Sequence, residues 1–258
     1  MNNWLVPEWP APANVHAVFT TRAGGTSMAP FDSLNLGDHV GDRPMDVAAN
    51  RALLVQAIQA QPVFLSQVHE AHVVSLSGAT AHATQADACI TDQPGTACTI
   101  LVADCLAVLL TNAQGNRVAA AHAGWRGLAG HGGRGVLEAV LERLGTSPAT
   151  ATASDDSSIL AWLGPCIGPA AFAVGADVRD AFVVHDRAAL AMFTPLSDNK
   201  WLANLPGLAR LRLTELGVSR IYGNDGSRPW CTVSNPAQFF SHRRDRVSGR
   251  MAACIWLD

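Results

Sequence analysis

The chain has 258 residues, of which 48% are hydrophobic and 15% are charged, and its formal net charge is −3. An average soluble chain has about 25% charged residues, so this composition excludes a disordered protein and predicts one large domain over 1–258 with an extensive core. Lys200 is the single lysine and stands in Asn-Lys-Trp, which excludes a P-loop and Schiff-base chemistry. A negative net charge with one lysine also argues against a broad cationic surface for nucleic acid.

The first twelve residues, MNNWLVPEWPAP, carry neither the basic nor the apolar segment of a signal peptide. The longest apolar run, residues 97–110, is too short to cross a bilayer and contains Asp104. We therefore expect a cytoplasmic protein that does not bind membranes. Six cysteines without a C-x-x-C pair predict reduced thiols, so a special cysteine here would be a metal ligand or a nucleophile.

The hydrophobic pattern predicts more strands than helices, without regular alternation. In chain order we expect a strand at 15–20, a long Gly/Ser/Asp loop at 21–44, a helix at 44–60, strands at 63–68, 72–76, 88–91 and 99–110, a hairpin partner strand up to 123, a glycine-rich loop at 124–135, a helix up to 145, a surface excursion at 147–158, a strand from 159, helices at 175–193 and 203–216, and strands at 219–224 and 249–258. This order favours an α+β layered sandwich over a doubly wound fold.

Two histidines and a cysteine form a candidate metal site. His69 follows a predicted strand, Cys105 lies in the apolar run VADC, and His122 ends the strand RVAAAH. A turn centred on residues 113 and 114 would pair residue 105 with residue 122 and bring their Cβ atoms about 5 Å apart. Three such ligands leave one position open on a zinc ion, the pattern of catalytic sites. The alternative is two buried, hydrogen-bonded histidines and an inert core thiol.

Several known zinc motifs are absent. Residues 69–72 read H-E-x-H, one residue short of the H-E-x-x-H of helical metalloproteases. The chain has no H-x-E followed by P-C-x-x-C, which excludes a cytidine-deaminase type of site. No H-x-H pair occurs either.

Two acidic residues and a glycine-rich loop each have functional and structural interpretations. Asp87 and Asp104 lie in apolar strands, where each would orient a ligand histidine, act as an acid or base, or pair with an arginine. The loop GWRGLAGHGGRG would bind an anion through its backbone amides, Arg126 and Arg134, or would simply pack closely on the sheet.

Two further segments also allow a functional and a structural interpretation. Cys166, in a turn after a strand, is a candidate nucleophile or a structural thiol. The run of His242, Arg243 and Arg244 would contact an anionic substrate or form a basic surface patch.

Together these motifs resemble one protein family over residues 15–257. The residues that carry the resemblance are TRAGGTS, SLNLGDHVGD, the pair NR at 50 and 51, SQVH, DACITD, VADCLAVLL, AAAHAGWRGLAGHGG, LGPCIGPAAFAVG, FFSHRRD and GRMAACIWL. The chain is similar to the bacterial YfiH-like family, also called the multicopper polyphenol oxidase (laccase) domain family and purine nucleoside phosphorylases. The resemblance implies a four-layer αββα sandwich with mixed sheets, similar to the catalytic domain of cytotoxic necrotizing factor toxins.

The resemblance also implies a site and an activity. The family's metal triad falls on His69, Cys105 and His122, with one Zn²⁺ per chain and Cu²⁺ as an alternative ion. The implied reactions are phosphorolysis of adenosine, inosine, guanosine and methylthioadenosine, and hydrolytic deamination of adenosine, so the partners are a purine nucleoside and phosphate. We expect a monomer.

Roles can be assigned to individual residues on this basis. Cys105, His122, Asp104 and His131 are the expected catalytic residues, with Asp87 as a further candidate acid or base. The expected anion-binding residues are Arg51, Arg126 and Arg243, together with the glycine-rich loop.

Three other functions remain open on the sequence. A copper polyphenol oxidase needs several copper centres, whereas the chain offers a single His₂Cys set. A cysteine or zinc amide hydrolase acting on a cell-wall precursor such as a UDP-muramyl peptide would use Cys105 or Cys166 with His122. A non-enzymatic zinc-stabilised binding module would need a fourth ligand, and none is evident.

Overall fold

A computed structural model describes residues 3–145, 159–197 and 199–258, so the surface excursion predicted at 147–158 lies outside the described residues. The α-helices in this part are α1 (Pro44–Ile58), α2 (Trp125–Ala129), α3 (Val136–Leu144), α4 (Ala176–Val183), α5 (Leu205–Glu215) and α6 (His242–Asp245), and two 3₁₀ helices span Arg187–Met192 and Arg228–Trp230. The strands are β1 (Val15–Phe19), β2 (Gln61–Phe64), β3 (Val73–Ser75), β4 (Ala88–Thr91), β5 (Thr96–Val102), β6 (Leu106–Asn112), β7 (Val118–Ala123), β8 (Ile159–Leu163), β9 (Ala173–Val174), β10 (Phe193–Pro195), β11 (Trp201–Ala203), β12 (Arg220–Gly223) and β13 (Met251–Leu257).

The described strands form two large sheets and one small one. The four-stranded sheet has the order β1-β13-β5-β2, and the six-stranded sheet has the order β12-β8-β6-β7-β4-β3. Both are mixed, because β2 runs parallel to β5, β3 to β4 and β12 to β8, while their other neighbours are antiparallel. The small sheet, β10-β11-β9, is antiparallel.

The two large sheets pack face to face between helices. Phe19 and Ile255 of the four-stranded sheet share one buried cluster with Leu109 and Trp162 of the six-stranded sheet. On the outer face of the four-stranded sheet, α1 packs through Leu54 and Ile58. On the outer face of the six-stranded sheet, apolar residues of α3 and α5 pack against β6, β7 and β8. The predicted α+β sandwich of four layers is therefore confirmed, while its similarity to the toxin domain stays a prediction.

The apolar run 99–110 is two strands, and the prediction of one central strand is wrong. β5 belongs to the four-stranded sheet and β6 to the six-stranded sheet, and residues 103–105 turn the chain from one to the other. Both strands are buried on both faces except at the end of β6, so hydropathy alone does not reveal the break. We call residues 103–105 the sheet-crossing corner. The hairpin is consequently β6 with β7 only.

The register of that hairpin also differs from the prediction. Residue 107, not 105, lies opposite His122. The connection has five residues, 113–117, and Gly115 adopts a φ of +65°. A two-residue turn at 113 and 114 would favour Asn or Gly at positions of positive φ, which Ala113 and Gln114 do not supply. The longer loop places the glycine where that conformation occurs.

Smaller differences follow from short elements. The helix predicted at 175–193 is α4 followed by a 3₁₀ helix, and α5 begins at residue 205 because residues 201–203 form β11. The small sheet consists of strands of two or three residues, too short for a period-two pattern to be recognised. The strand predicted at 63–68 already ends at Phe64.

In the described part of the chain, no helix combines the length and apolar character needed to span a membrane.

Candidate metal centre

The three predicted ligands converge on one point. One ligand atom from each of His69, Cys105 and His122 lies within 4.8 Å of the others. His69 Nε2 is 3.8 Å from Cys105 Sγ, and the two imidazole rings meet edge to face at 4.7 Å between centroids. Two ligands on a tetrahedral zinc with bonds of about 2.0 and 2.3 Å are about 3.6 Å apart. The residues present therefore fit a metal ion.

His122 is oriented by Asp87. It lies in β7, is 3% exposed, and donates from Nδ1 to Asp87 Oδ1 over 2.9 Å. Because a carboxylate can only accept this bond, Nδ1 carries the proton and Nε2 is the nitrogen directed to the metal. The backbone N–H of His122 also donates to the backbone oxygen of Asp87 at 2.7 Å.

The Asp87 carboxylate also builds the loop that carries His69. Its oxygens accept the backbone N–H groups of Val68, His69 and Glu70 at 3.2, 2.8 and 2.8 Å. His69 has a φ of +64°, a left-handed conformation that these bonds stabilise locally. Burial alone would raise the pKa of Asp87, but the bonds from His122 and these amides lower it below its usual value. One buried carboxylate thus fixes two of the three ligands.

Asp104 builds the sheet-crossing corner that carries the third ligand. It has a φ of +88°, and its oxygens accept Thr232 Oγ1 and the backbone N–H of Arg243, both at 2.6 Å. Its backbone oxygen accepts the N–H of Ile167 at 2.8 Å. Two loops and the helix α6 are therefore tied to the residue that precedes Cys105. We infer a positioning role for Asp104, because both carboxylate oxygens are engaged.

The electrostatics of the triad favour a cation. Burial raises the pKa of the Cys105 thiol, but the charges and hydrogen bonds of His122 and His69 lower it to about 6. Burial lowers the pKa of His122, but the Cys105 thiolate and Asp87 raise it to about 9. Without a metal the pair is thus thiolate and imidazolium. A divalent ion bound here would take the place of the imidazolium proton, because metal binding releases protons from its ligands.

One side of the triad is open. His69 is exposed, Cys105 is half-buried and His122 is buried, so access is from the His69 side. All nine histidines and six cysteines lie within the described residues, and no other His, Cys, Asp or Glu there joins this cluster. Three protein ligands with a free fourth position are typical of catalytic zinc.

His131, predicted as catalytic, lies in the glycine-rich loop. It is exposed, and its backbone pairs with that of Arg134 at 3.1 Å. Among the described residues, no hydrogen bond or ion pair joins its side chain to the triad.

The same loop is held by structural contacts, which favour the packing interpretation over an anion cradle. The N–H groups of residues 130, 131, 134 and 135 donate to acceptors within 126–138. Arg212 of α5 donates to the backbone oxygens of residues 128, 129 and 133 and pairs with Glu138. Arg134 pairs with Glu142, and Arg126 stacks on Trp125 with 4.4 Å to the ring centroid. Of the two loop arginines, Arg126 alone has no ion pair among the described residues.

The other two predicted anion-binding arginines have structural partners as well. Arg51 donates from Nε to the backbone oxygen of Leu36, lies over the ring of Phe64 and pairs with Asp38 at 3.1 Å. Arg243 donates from Nη1 to the backbone oxygen of residue 173. Its own N–H binds Asp104, so Arg243 lies beside the corner.

The remaining candidates have mostly structural roles. Cys166 is buried, burial raises its pKa, and Asn224 Nδ2 donates to its sulfur at 3.4 Å, as expected for an inert thiol. Arg244 donates to backbone oxygens of residues 232, 233 and 239. His242 is exposed at the start of α6.

Gly124 is part of the site and was not found from the sequence. It precedes α2, and a Cβ added there would lie 3.1 Å from Cys105 Sγ, 3.1 Å from His69 Cδ2 and 3.7 Å from His122 Cε1. Its backbone has an ordinary φ of −62°, so space rather than conformation requires glycine. Its position two residues after His122 in HAGW is the signal that could have indicated it.

Replacing Gly124 by alanine should damage the metal site without unfolding the protein. The added methyl group would push His69 and Cys105 apart, and we expect metal affinity to fall at least about tenfold, as for other disturbances of ligand geometry. Competition with a metal chelator measures this. Gly78→Ala is the matched control, since nothing lies within 4 Å of its added Cβ. Equal metal affinity in both variants would contradict the assignment.

Comparison with known proteins agrees with the geometry. Residues 16–258 match the family model described as multi-copper polyphenol oxidoreductase laccase. Relatives named purine nucleoside phosphorylase, from Pseudomonas aeruginosa and from Escherichia coli K12 (YfiH), are each 46% identical over 100% of this chain and 99% and 100% of their own length.

Two solved structures are similar over nearly the whole chain. The Neisseria meningitidis protein NMB0706 superposes with a TM-score of 0.88 at 44% identity, covering 99% of both chains. YlmD from Geobacillus stearothermophilus has a TM-score of 0.82 at 31% identity, covering 98% of this chain and 96% of its own. The sequence match, the relatives and the common fold together show that this chain belongs to the YfiH family of multi-copper polyphenol oxidoreductase laccase-like proteins.

Proposed function

We propose that this protein is a zinc-dependent purine nucleoside phosphorylase that accepts adenosine, inosine, guanosine and methylthioadenosine and also deaminates adenosine. The observation that carries the proposal is the open triad of His69, Cys105 and His122 in a chain closely similar to relatives named purine nucleoside phosphorylase. A site with a free ligand position can take a substrate or water, whereas a purely structural zinc has four protein ligands.

The chain's own residues would hold one zinc per chain. Two imidazole nitrogens and a thiolate are ordinary zinc ligands, and a bound zinc supplies Lewis-acid polarisation and acidifies water. Asp87 holds His122 in one orientation, and Asp104 holds the corner that presents Cys105. These contacts keep the three ligands in place before substrate arrives, which reduces reorganisation during catalysis.

Phosphorolysis needs no redox partner. An oxygen of phosphate forms a bond to C1′ of the nucleoside, the C1′–N9 bond breaks, and its electron pair leaves with the purine, which takes up a proton. The protein must bind the anion and orient the nucleoside on the exposed His69 side of the triad. Deamination exchanges the 6-amino group for oxygen from water at the same site and yields ammonia.

A copper polyphenol oxidase is less well supported. Such enzymes use several copper centres, and the described residues, which include every histidine and cysteine, hold a single His/Cys cluster.

A cysteine hydrolase remains an outcome to be tested. It would use the Cys105 thiolate without metal, so a chelator would preserve or raise its activity and would abolish a zinc-dependent reaction. Cleavage of an amide bond in a UDP-muramyl peptide, measured with and without chelator, tests the hydrolase function directly.

Removing the Cys105 sulfur should abolish metal binding. We expect purified protein to contain about one zinc per chain by elemental analysis, and Cys105→Ala to contain about a tenth of that or less. Cys166→Ala is the matched control, because this thiol is buried outside the triad and should leave the zinc content unchanged. A Cys105→Ala protein that keeps a full complement of zinc would contradict the proposed site.

Inosine should release hypoxanthine only when phosphate is present. The assay follows hypoxanthine and ribose 1-phosphate by chromatography, with wild type, Cys105→Ala and chelator-treated protein compared. We expect both treatments to lower kcat/KM at least about a hundredfold, since the ligands act as a unit. Release of base without phosphate would indicate a hydrolase, and ammonia from adenosine as the sole product would leave deamination alone. Phenol oxidation in place of both reactions would support the oxidase.

A further inference from the structure

Arg250 lies directly opposite the sheet-crossing corner. It precedes β13, whose Met251 pairs with Val102 of β5, so the antiparallel register places Arg250 across from Ala103. Its backbone is fixed on both sides. The Arg250 N–H donates to Asn35 Oδ1 at 2.9 Å, and its carbonyl oxygen accepts the N–H of Leu36 at 3.1 Å. The residue is therefore held beside the corner that carries Cys105.

The Arg250 side chain has unused hydrogen-bond donors. Nη1 donates to the backbone oxygens of Ser248 and Gly249 at 2.9 and 3.1 Å and to Ser248 Oγ at 3.4 Å. Among the described residues, no carboxylate lies within ion-pair distance of this half-buried guanidinium, and no hydrogen bond engages Nε or Nη2. A cation removed from water without a partner carries a desolvation penalty that a bound anion would offset.

The residues around Arg250 leave its charge without compensation. Asp38, an acidic residue of the loop that contains Gly37, pairs with Arg51 at 3.1 Å and with His39 at 3.5 Å. Burial lowers the pKa of His39, and the charges of Arg250 and Arg51 lower it further, so the three basic groups share one region. Asp104, near Arg250, already accepts two hydrogen bonds.

Gly37 packs closely against the aliphatic stem of this side chain. A Cβ added to Gly37 would lie 2.8 Å from Arg250 Cγ, so a larger residue would displace the arginine stem. The loop that contains Gly37 is anchored by Arg51, whose Nε donates to the oxygen of Leu36. Arg51 therefore positions the loop, while the guanidinium of Arg250 keeps free donors.

Arg250 lies at the same end of the sandwich as the triad, because the register places it across from Ala103, two residues before Cys105. Burial lowers the pKa of its guanidinium, while the negative charges of Cys105 and Asp104 act to raise it. A divalent cation held by the triad would compensate the thiolate charge, so the region that contains Arg250 would carry net positive charge. Such a region attracts an anion.

We propose that Arg250 binds the inorganic phosphate co-substrate of this site through its free Nε and Nη2 edge. This edge matches two phosphate oxygens in a bidentate arrangement. The proposal rests on the proposed phosphorylase function and adds the residue that holds the phosphate while one of its oxygens bonds to C1′. The family resemblance instead predicts Arg51, Arg126 and Arg243 as the anion-binding residues.

Calorimetric titration of zinc-loaded protein with inorganic phosphate tests the proposal without catalysis. We expect Arg250→Gln to weaken phosphate binding at least about tenfold, the loss typical of a charged hydrogen-bonding group. In the phosphorolysis assay, its KM for phosphate should rise by a similar factor, with less than about a twofold change in the KM for inosine. Arg250→Lys keeps the charge but loses the planar edge and should lie between wild type and Arg250→Gln.

Arg143→Gln is the control, because this arginine is exposed on α3 on the far face of the six-stranded sheet. Its replacement should leave phosphate binding and zinc content unchanged.

Undetectable phosphate binding by wild type, or unchanged phosphate affinity in Arg250→Gln, would overturn the proposal. If Arg250→Gln fails to fold, unchanged phosphate affinity in folded Arg250→Lys would do the same. If Arg250→Gln catalyses phosphorolysis with an unaltered KM for phosphate, the role of Arg250 is rejected and the proposed function stands. If phosphate binding depends on Arg250 but the wild type catalyses no phosphorolysis, the proposed function is rejected and the phosphate site stands.

Discussion

The buried carboxylate of Asp87 is the contact on which the candidate site depends. It accepts three consecutive backbone N–H groups from residues 68–70 and the Nδ1–H of His122, so a single side chain sets both the loop of His69 and the ring orientation of His122. A buried carboxylate with four donors is stabilised as an anion and resists protonation. It also supplies the negative charge behind a metal-ligating imidazole, an arrangement that raises the basicity of the ligand nitrogen.

The third ligand depends on a change of sheet. Between β5 and β6 the chain passes from one layer of the sandwich to the other in three residues, and Cys105 lies at that crossing. The left-handed conformation of Asp104 is held by Thr232, Ile167 and Arg243, which belong to two loops and the helix α6, all far away in sequence. The site therefore exists only when the two sheets, and the loops at this end of the sandwich, are assembled.

This dependence explains how much the sequence could predict. His69, Cys105 and His122 could be named because the family resemblance selected them, whereas their spacing alone matches no general zinc motif. The helix α1 and the helix α3, with its glycine at residue 145, were also predictable from local signals. The sheet crossing was not, because an apolar run is equally compatible with one strand or two buried ones. Gly124 and Arg250 act through long-range proximity, which no local pattern encodes.

We propose a single ion held by two imidazoles and one thiolate, with room for one more ligand. X-ray absorption spectroscopy at the zinc edge of the purified protein measures this ligand shell directly. We expect one sulfur at about 2.3 Å and the remaining nitrogen or oxygen neighbours at about 2.0 to 2.1 Å, with a light-atom neighbour beyond the two imidazoles. A shell without sulfur, or one with two or more sulfurs, would contradict it.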